Sequence, residues 1–107
     1  MKSIRGAIAV VENNEESILS SSKKLINEIL INNAITENDI EFVIFTVTSD
    51  ITEAFPAKAF RELGMTSIAA IDTLAPNINS DLSGCIRILI YLNNCLLYTS
   101  PSPRDRG

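Results

Sequence analysis

One long amphipathic segment set among short runs of two-residue alternation constrains this chain more than any other feature. Residues 3–11 (SIRGAIAVV), 40–48 (IEFVIFTVT), 67–72 (SIAAID) and 85–92 (CIRILIYL) read as strands. In the first, Ile4, Gly6, Ile8 and Val10 fall on one face, and Ser3, Arg5, Ala7, Ala9 and Val11 on the other. In the last, Ile86, Ile88, Ile90 and Leu92 alternate with Cys85, Arg87, Leu89 and Tyr91. The second run, dense in β-branched and aromatic residues, reads as a buried central strand. Between the first two runs, residues 14–31 place Ile18, Leu25 and Ile29 beside Leu19, Ile26 and Leu30 at helical spacing. Asn13 and Glu16 resemble an N-cap and its capping-box partner, Asn32 and Asn33 end the helix, and residues 36–39 form a short capped turn. A shorter helix is expected over 55–63, with Pro56 in its first turn and Gly64 at its C-terminal cap. Residues 74–83, with Pro76, Asn77, Asn79, Ser80 and Asp81, form a polar loop.

The order β-α-β-α-β-β predicts an α+β fold, a mixed sheet with helices packed on one face. At 107 residues the chain has room for one such core. A sheet this size in so short a chain leaves apolar surface uncovered, so oligomerisation is expected.

The positive charges are few enough to be informative. The net charge is −4 and the pI near 4.7, which argues against non-specific nucleic-acid binding but allows a local cationic pocket. The chain has two cysteines, Cys85 and Cys95, and no histidine. No disulfide framework or zinc spacing arises from these, no metal is expected, and the commonest general base is absent. Cys85, with no histidine to activate it, reads as a buried structural thiol. Any chemistry must use carboxylates, Lys, Arg, Tyr or Cys, or need no proton transfer. The apolar run 7–11 is too short for a signal segment, and 86–97 is interrupted by Arg87, Asn93 and Asn94. The expected compartment is therefore the cytoplasm, with no membrane partner.

Two arginines stand out on the strand pattern. Arg5 shares its face with Ala7 and Ala9, and Arg87 shares its face with Leu89 and Tyr91. A guanidinium on a partly buried face needs an anion, supplied either by an internal acid or by a ligand. Lys58 and Arg61, three apart, lie on one face of the short helix, where a solvated face with a Lys58–Glu62 pair is the plainer reading. From Cys95 the pattern stops and the chain reads CLLYTSPSPRDRG. Residues 1–94 are expected to form the domain, and 95–107 an adaptor-like or disordered tail.

The blocks IRGAIAVVEN, FTVTSD, AFPAKAFRELG and CIRILI, in this order over about residues 2–93, resemble the AroH class of chorismate mutases. That resemblance implies a homotrimer of pseudo-barrel subunits with active sites between neighbouring chains. It implies a dianionic substrate, chorismate, rearranged to prephenate in aromatic amino-acid biosynthesis without a cofactor. Position by position, Arg5 would bind a substrate carboxylate and Arg87 would reach the ether oxygen of the breaking bond. Phe55, Ala57, Lys58 and Arg61 would wall the cleft, and the backbone of Ile71, Asp72, Thr73, Leu74 and Ala75 would frame the hydroxyl and ring.

The chain departs from the family pattern in two places. Where the family carries a glutamine–glutamate pair after the third strand, this chain has Leu74 and Ala75. Asp72 is left either as a substitute carboxylate or as a cap or turn residue. The family's later strand, with its carboxylate-binding tyrosine, has no counterpart, and Tyr98 of the tail is not given that role. The alternative function is an oligomeric small-anion-binding or regulatory module with little or no catalysis.

Overall fold

The alternating runs pair into one sheet. The computed structural model describes residues 3–78 and 82–93. It runs β1 (Ser3–Ile8), α1 (Glu15–Asn33), a 3-10 turn (Glu37–Asp39), β2 (Ile40–Val47), α2 (Lys58–Glu62), β3 (Ala69–Leu74) and β4 (Ile86–Leu92). The strand order is β1-β4-β2-β3. β4 is antiparallel to both β1 and β2, and β2 is parallel to β3, its partner across the α2 crossover. The α+β order and mixed sheet are those predicted. Asn79, Ser80 and Asp81 of the polar loop, and the segment 95–107 with Cys95 and Tyr98, lie outside the described residues.

Register decides which side chains meet. Ile4 lies opposite Ile90, and Ile88 lies between Gly6 and Phe45, so one face of the sheet is mostly apolar. Both helices cover this face. Ile18, Leu19, Leu25, Ile26 and Ile29 of α1, and Ala59 and Phe60 of α2, are buried in one cluster with Val43, Phe45, Ile86, Ile88 and Ile90. The Phe60 ring tilts onto Phe45 at 5.9 Å, a pairing worth about 0.5–1.5 kcal/mol beyond the area it buries.

The opposite face carries Arg5, Ala7, Phe42, Ile44, Thr46, Ile71, Arg87, Leu89 and Tyr91. Phe42 and Tyr91 stack there at 5.0 Å, yet Phe42 remains 37% and Ile71 57% exposed. β2 is central in the sheet as predicted, but it is buried on one side only. The reason is that both helices lie on the other face, so the apolar side chains turned outward have no helix over them among the described residues.

The helix ends correct two details. Asn14, not Asn13, caps α1, its Oδ1 accepting the Ser17 N–H at 2.7 Å. At the other end Ala34, not the Asn32-Asn33 pair, closes the helix in the left-handed conformation (φ 53°, ψ 45°). Its N–H bonds the Ile31 carbonyl, while the N–H of buried Ile35 reaches the Leu30 carbonyl at 3.1 Å. Alanine pays about 1–2 kcal/mol in that region. Ala34→Gly is therefore expected to raise stability by roughly 0.5–1 kcal/mol, net of glycine's greater unfolded-state entropy. A melting point a few degrees higher would register it, and an unchanged one would contradict it. The capped turn is as predicted, with Thr36 N–H donating to Asp39 Oδ2 at 2.8 Å.

Two strands shift at their ends. β1 stops at Ile8 because Val10 takes a positive φ of 59° and the Val10 and Val11 amides turn to the Ser83 and Gly84 carbonyls. β3 lies two residues later than predicted, over Ala69–Leu74.

Candidate active site

β4 is an inner strand, hydrogen-bonded on both sides, so whatever it carries is held firmly. Arg87 stands between Ala7 on β1 and Thr46 on β2, two small neighbours that leave room for a guanidinium. Arg5 lies opposite Leu89, one diagonal step from Arg87, roughly 7–8 Å away by strand geometry. The two arginines line a shallow depression of about 440 Å³ with Ala7, Ile44, Thr46 and Leu89. Arg87 is half-buried, whereas Arg5 is exposed; the burial expected of Arg5 is not met because, among the described residues, no element packs over its face of the edge strand β1.

The start of β4 is fixed by a polar cluster that sequence reasoning missed. The Gly84 N–H donates to Asp50 Oδ2 at 2.8 Å, and the Cys85 N–H donates to Thr48 Oγ1 at 3.0 Å. The Thr48 amide returns to the Cys85 carbonyl at 3.1 Å. The Thr48 hydroxyl above all, with the Gly84 amide, holds the Asp50 carboxyl below the usual aspartate range, against an opposing effect of burial. Cys85 is buried and free, as predicted.

The segment leading into α2 is held from outside. Asn13 Oδ1 accepts the Thr52 and Glu53 amides at 2.8 and 3.1 Å, and its Nδ2 donates to Thr52 Oγ1 at 2.8 Å. Lys58 does not pair with Glu62 along the helix. Lys58 meets Glu15 of α1 at 3.0 Å, and Glu62 meets Lys23 at 2.7 Å. The i,i+4 pair loses because α1 packs beside α2 and offers each residue a partner of opposite charge. Asp72 Oδ1 accepts the Ala57 N–H at 3.0 Å.

Two depressions flank this segment and share Phe55, Lys58 and Asp72. One, of about 390 Å³, opens toward Glu15, Glu53 and Leu74. The other, of about 240 Å³, opens toward Ala57, Arg61 and Met65. Phe55 and Leu74 are 72% and 67% exposed at the mouth of the first. Thr73 Oγ1 donates to the Phe45 carbonyl at 3.1 Å, and buried Ala75 gives its amide to the Val47 carbonyl at 2.8 Å. The structure thus brings Arg5 and Arg87 together on the open face. Phe55, Ala57, Lys58, Arg61 and Asp72 gather on the helix side of the β3 edge, and one chain does not join the two groups.

The fold and the site define an α+β domain with two guanidinium groups near one another on the sheet face away from its helices. The chain belongs to the chorismate mutase type I family, whose model matches residues 1–99. It is 35% identical over 107 residues to the chorismate mutase AroH of Thermus thermophilus, covering 99% of this chain and 83% of that protein. To the Bacillus subtilis (strain 168) chorismate mutase AroH it is 31% identical over 91 residues, 84% of this chain and 72% of that one. The solved structure of a chorismate mutase from Clostridium thermocellum superposes with a TM-score of 0.84 at 37% identity, covering 88% of this chain and 84% of that chain. The chain is accordingly an enzyme, an isomerase of the chorismate mutase class. No helix among the described residues is long and apolar enough to cross a membrane.

Proposed function

We propose that this chain rearranges chorismate to prephenate, within aromatic amino-acid biosynthesis in the cytoplasm, at sites shared between neighbours in a homotrimer. The observation that carries this reading is the division of labour between the two sheet faces. Arg5 and Arg87 stand together on the uncovered face, while Phe55, Ala57, Lys58 and Arg61 flank the β3 edge on the helix side. A neighbour that covers the exposed apolar face would carry its own 55–61 segment to the arginines. Residues 1–94 form the catalytic domain in this reading, and 95–107 a foreign tail.

The reaction moves electrons around one ring of atoms. The enolpyruvyl double bond forms a new C–C bond to the ring as the ether C–O bond breaks, and no proton enters or leaves. The protein must hold the enolpyruvyl arm over the ring in a near-attack geometry. It must also stabilise the negative charge that grows on the ether oxygen. In our reading Arg87 meets that oxygen and Arg5 holds a substrate carboxylate. Phe55 and Ala57 wall the cleft, Lys58 and Arg61 close it electrostatically, and the backbone of 71–75 frames the ring and hydroxyl. A fixed guanidinium strengthens its contact as charge develops, which lowers the barrier and not only the binding energy.

A complementation experiment tests both the activity and the shared site. Arg87→Ala and Lys58→Ala proteins, each impaired alone, are dissociated, mixed and reassembled, and prephenate formation is measured. Sites that combine one chain's intact arginines with the other's intact Lys58 are expected to recover a substantial fraction of wild-type turnover. Recovery no greater than the sum of the separate proteins would overturn the shared site, and a wild-type protein without turnover would overturn the activity.

A further inference from the structure

Asp72 lies opposite Phe45 in the β2–β3 register, which places it on the helix-covered side of the sheet, the face away from Arg5 and Arg87. There its Oδ1 accepts the Ala57 N–H at 3.0 Å. This donor belongs to the first turn leading into α2. Pro56 before it has no N–H, and the amides of Lys58, Ala59 and Phe60 go to the carbonyls of Phe55, Pro56 and Ala57. Among the described residues no carbonyl takes the Ala57 amide. A helix start leaves such N–H groups orphaned unless a side chain meets them. Burial pushes the Asp72 carboxyl up, and the Ala57 bond is what pulls it back. The carboxyl therefore bears a desolvation cost in order to stand beneath this turn.

Asp72 is also where the two depressions around the segment meet, one reaching Glu15 and Leu74 and the other Arg61 and Met65. Moving the turn would move Phe55, Lys58 and Arg61 with it. Asn13 and Glu15 tether the same stretch at Thr52, Glu53 and Lys58 from the α1 side, and among the described residues Asp72 is what hydrogen-bonds its first turn to the sheet. We propose that Asp72 is a positioning residue: through the Ala57 amide it sets the first turn of α2, so that Phe55, Lys58 and Arg61 meet the substrate in one geometry. The inference rests on the mutase reading above. It gives the Asp72 carboxyl no contact with substrate, so the loop carboxylate missing at Leu74 and Ala75 is not replaced from here.

The test compares wild type, Asp72→Ala and Asp72→Asn in two readouts, chorismate kinetics and hydrogen exchange of the Ala57 amide. Asp72→Ala removes the acceptor. It is expected to raise KM about tenfold with a smaller change in kcat, as loss of preformed binding geometry does, and to speed exchange at Ala57. Asp72→Asn keeps an acceptor oxygen without the charge, and is expected to restore KM to within about threefold of wild type and to protect the amide again. If Asp72→Asn is as impaired as Asp72→Ala while Ala57 stays protected, the charge itself acts on substrate and the proposal fails. A wild-type KM in Asp72→Ala also overturns it. Should Asp72→Ala not fold, Asp72→Asn decides alone, by a KM near wild type or one raised tenfold or more. Turnover by wild type separates these failures from failure of the mutase reading.

Discussion

Arg87→Ala is expected to lower kcat for chorismate by two to three orders of magnitude, about 3–4 kcal/mol of transition-state stabilisation by analogy with single oxyanion donors. KM should change far less, because in the proposed mechanism the charge that Arg87 meets is small in bound chorismate and large only as the C–O bond breaks. The fold gives this residue its leverage. β4 is laddered on both sides, and the neighbouring positions are Ala7 and Thr46, so the guanidinium is offered from a rigid base and not from a loop. Arg87→Lys keeps the charge but replaces a planar fork with a point donor, and should recover only part of the loss. Single-turnover rates and unchanged circular dichroism would separate this effect from unfolding. A kcat within a few-fold of wild type in Arg87→Ala would remove Arg87 from the chemistry.

Much of the frame behind that arginine was legible in the residues. Two-residue alternation in CIRILIYL put Arg87 on the face opposite Ile86, Ile88 and Ile90, and the sheet keeps that division. The α1 stripe found its buried partners, and Gly64 closes α2 at φ 83°. That Arg5 and Arg87 stand one diagonal step apart was not legible, because it needs the β1–β4 register, a contact between distant segments. Polar anchors were lost for a related reason. Asn13 and Asn14 are equally good caps in isolation, and only the approach of Thr52 and Glu53 draws Asn13 away. Lys58 had Glu62 at ideal helical spacing, yet its partner is Glu15, 43 residues away. The blocks that resemble the AroH class supplied roles that spacing could not, and the family match gives that resemblance its footing.

Gly84→Ala is expected to cost on the order of 3–4 kcal/mol of stability, from one methyl group. Gly84 sits at φ +61°, and a Cβ there would stand 2.6 Å from the Val11 carbonyl oxygen and 2.7 Å from the Val11 nitrogen. Those atoms are backbone, so no rotamer change relieves the contact. The Val10–Val11 segment must retreat instead, and Val10 already holds a positive φ of 59°, strained for a β-branched residue. Retreat breaks the Val11 N–H bond to the Gly84 carbonyl at 2.9 Å and tilts the Gly84 amide away from Asp50. Gly64→Ala is the control, since Gly64 also has a positive φ, of 83°, but has open space where the Cβ would go. It should lose only about 1–2 kcal/mol. The difference between the two denaturant midpoints isolates the clash from the backbone conformation, and equal losses would refute the close approach. Gly84 precedes Arg87 by three residues, and its bonds to Val11 and Asp50 tie the start of β4 to the segments that follow β1 and β2. A folded remnant of Gly84→Ala should therefore lose turnover as well as stability, because the ladder that aims the guanidinium begins at this contact.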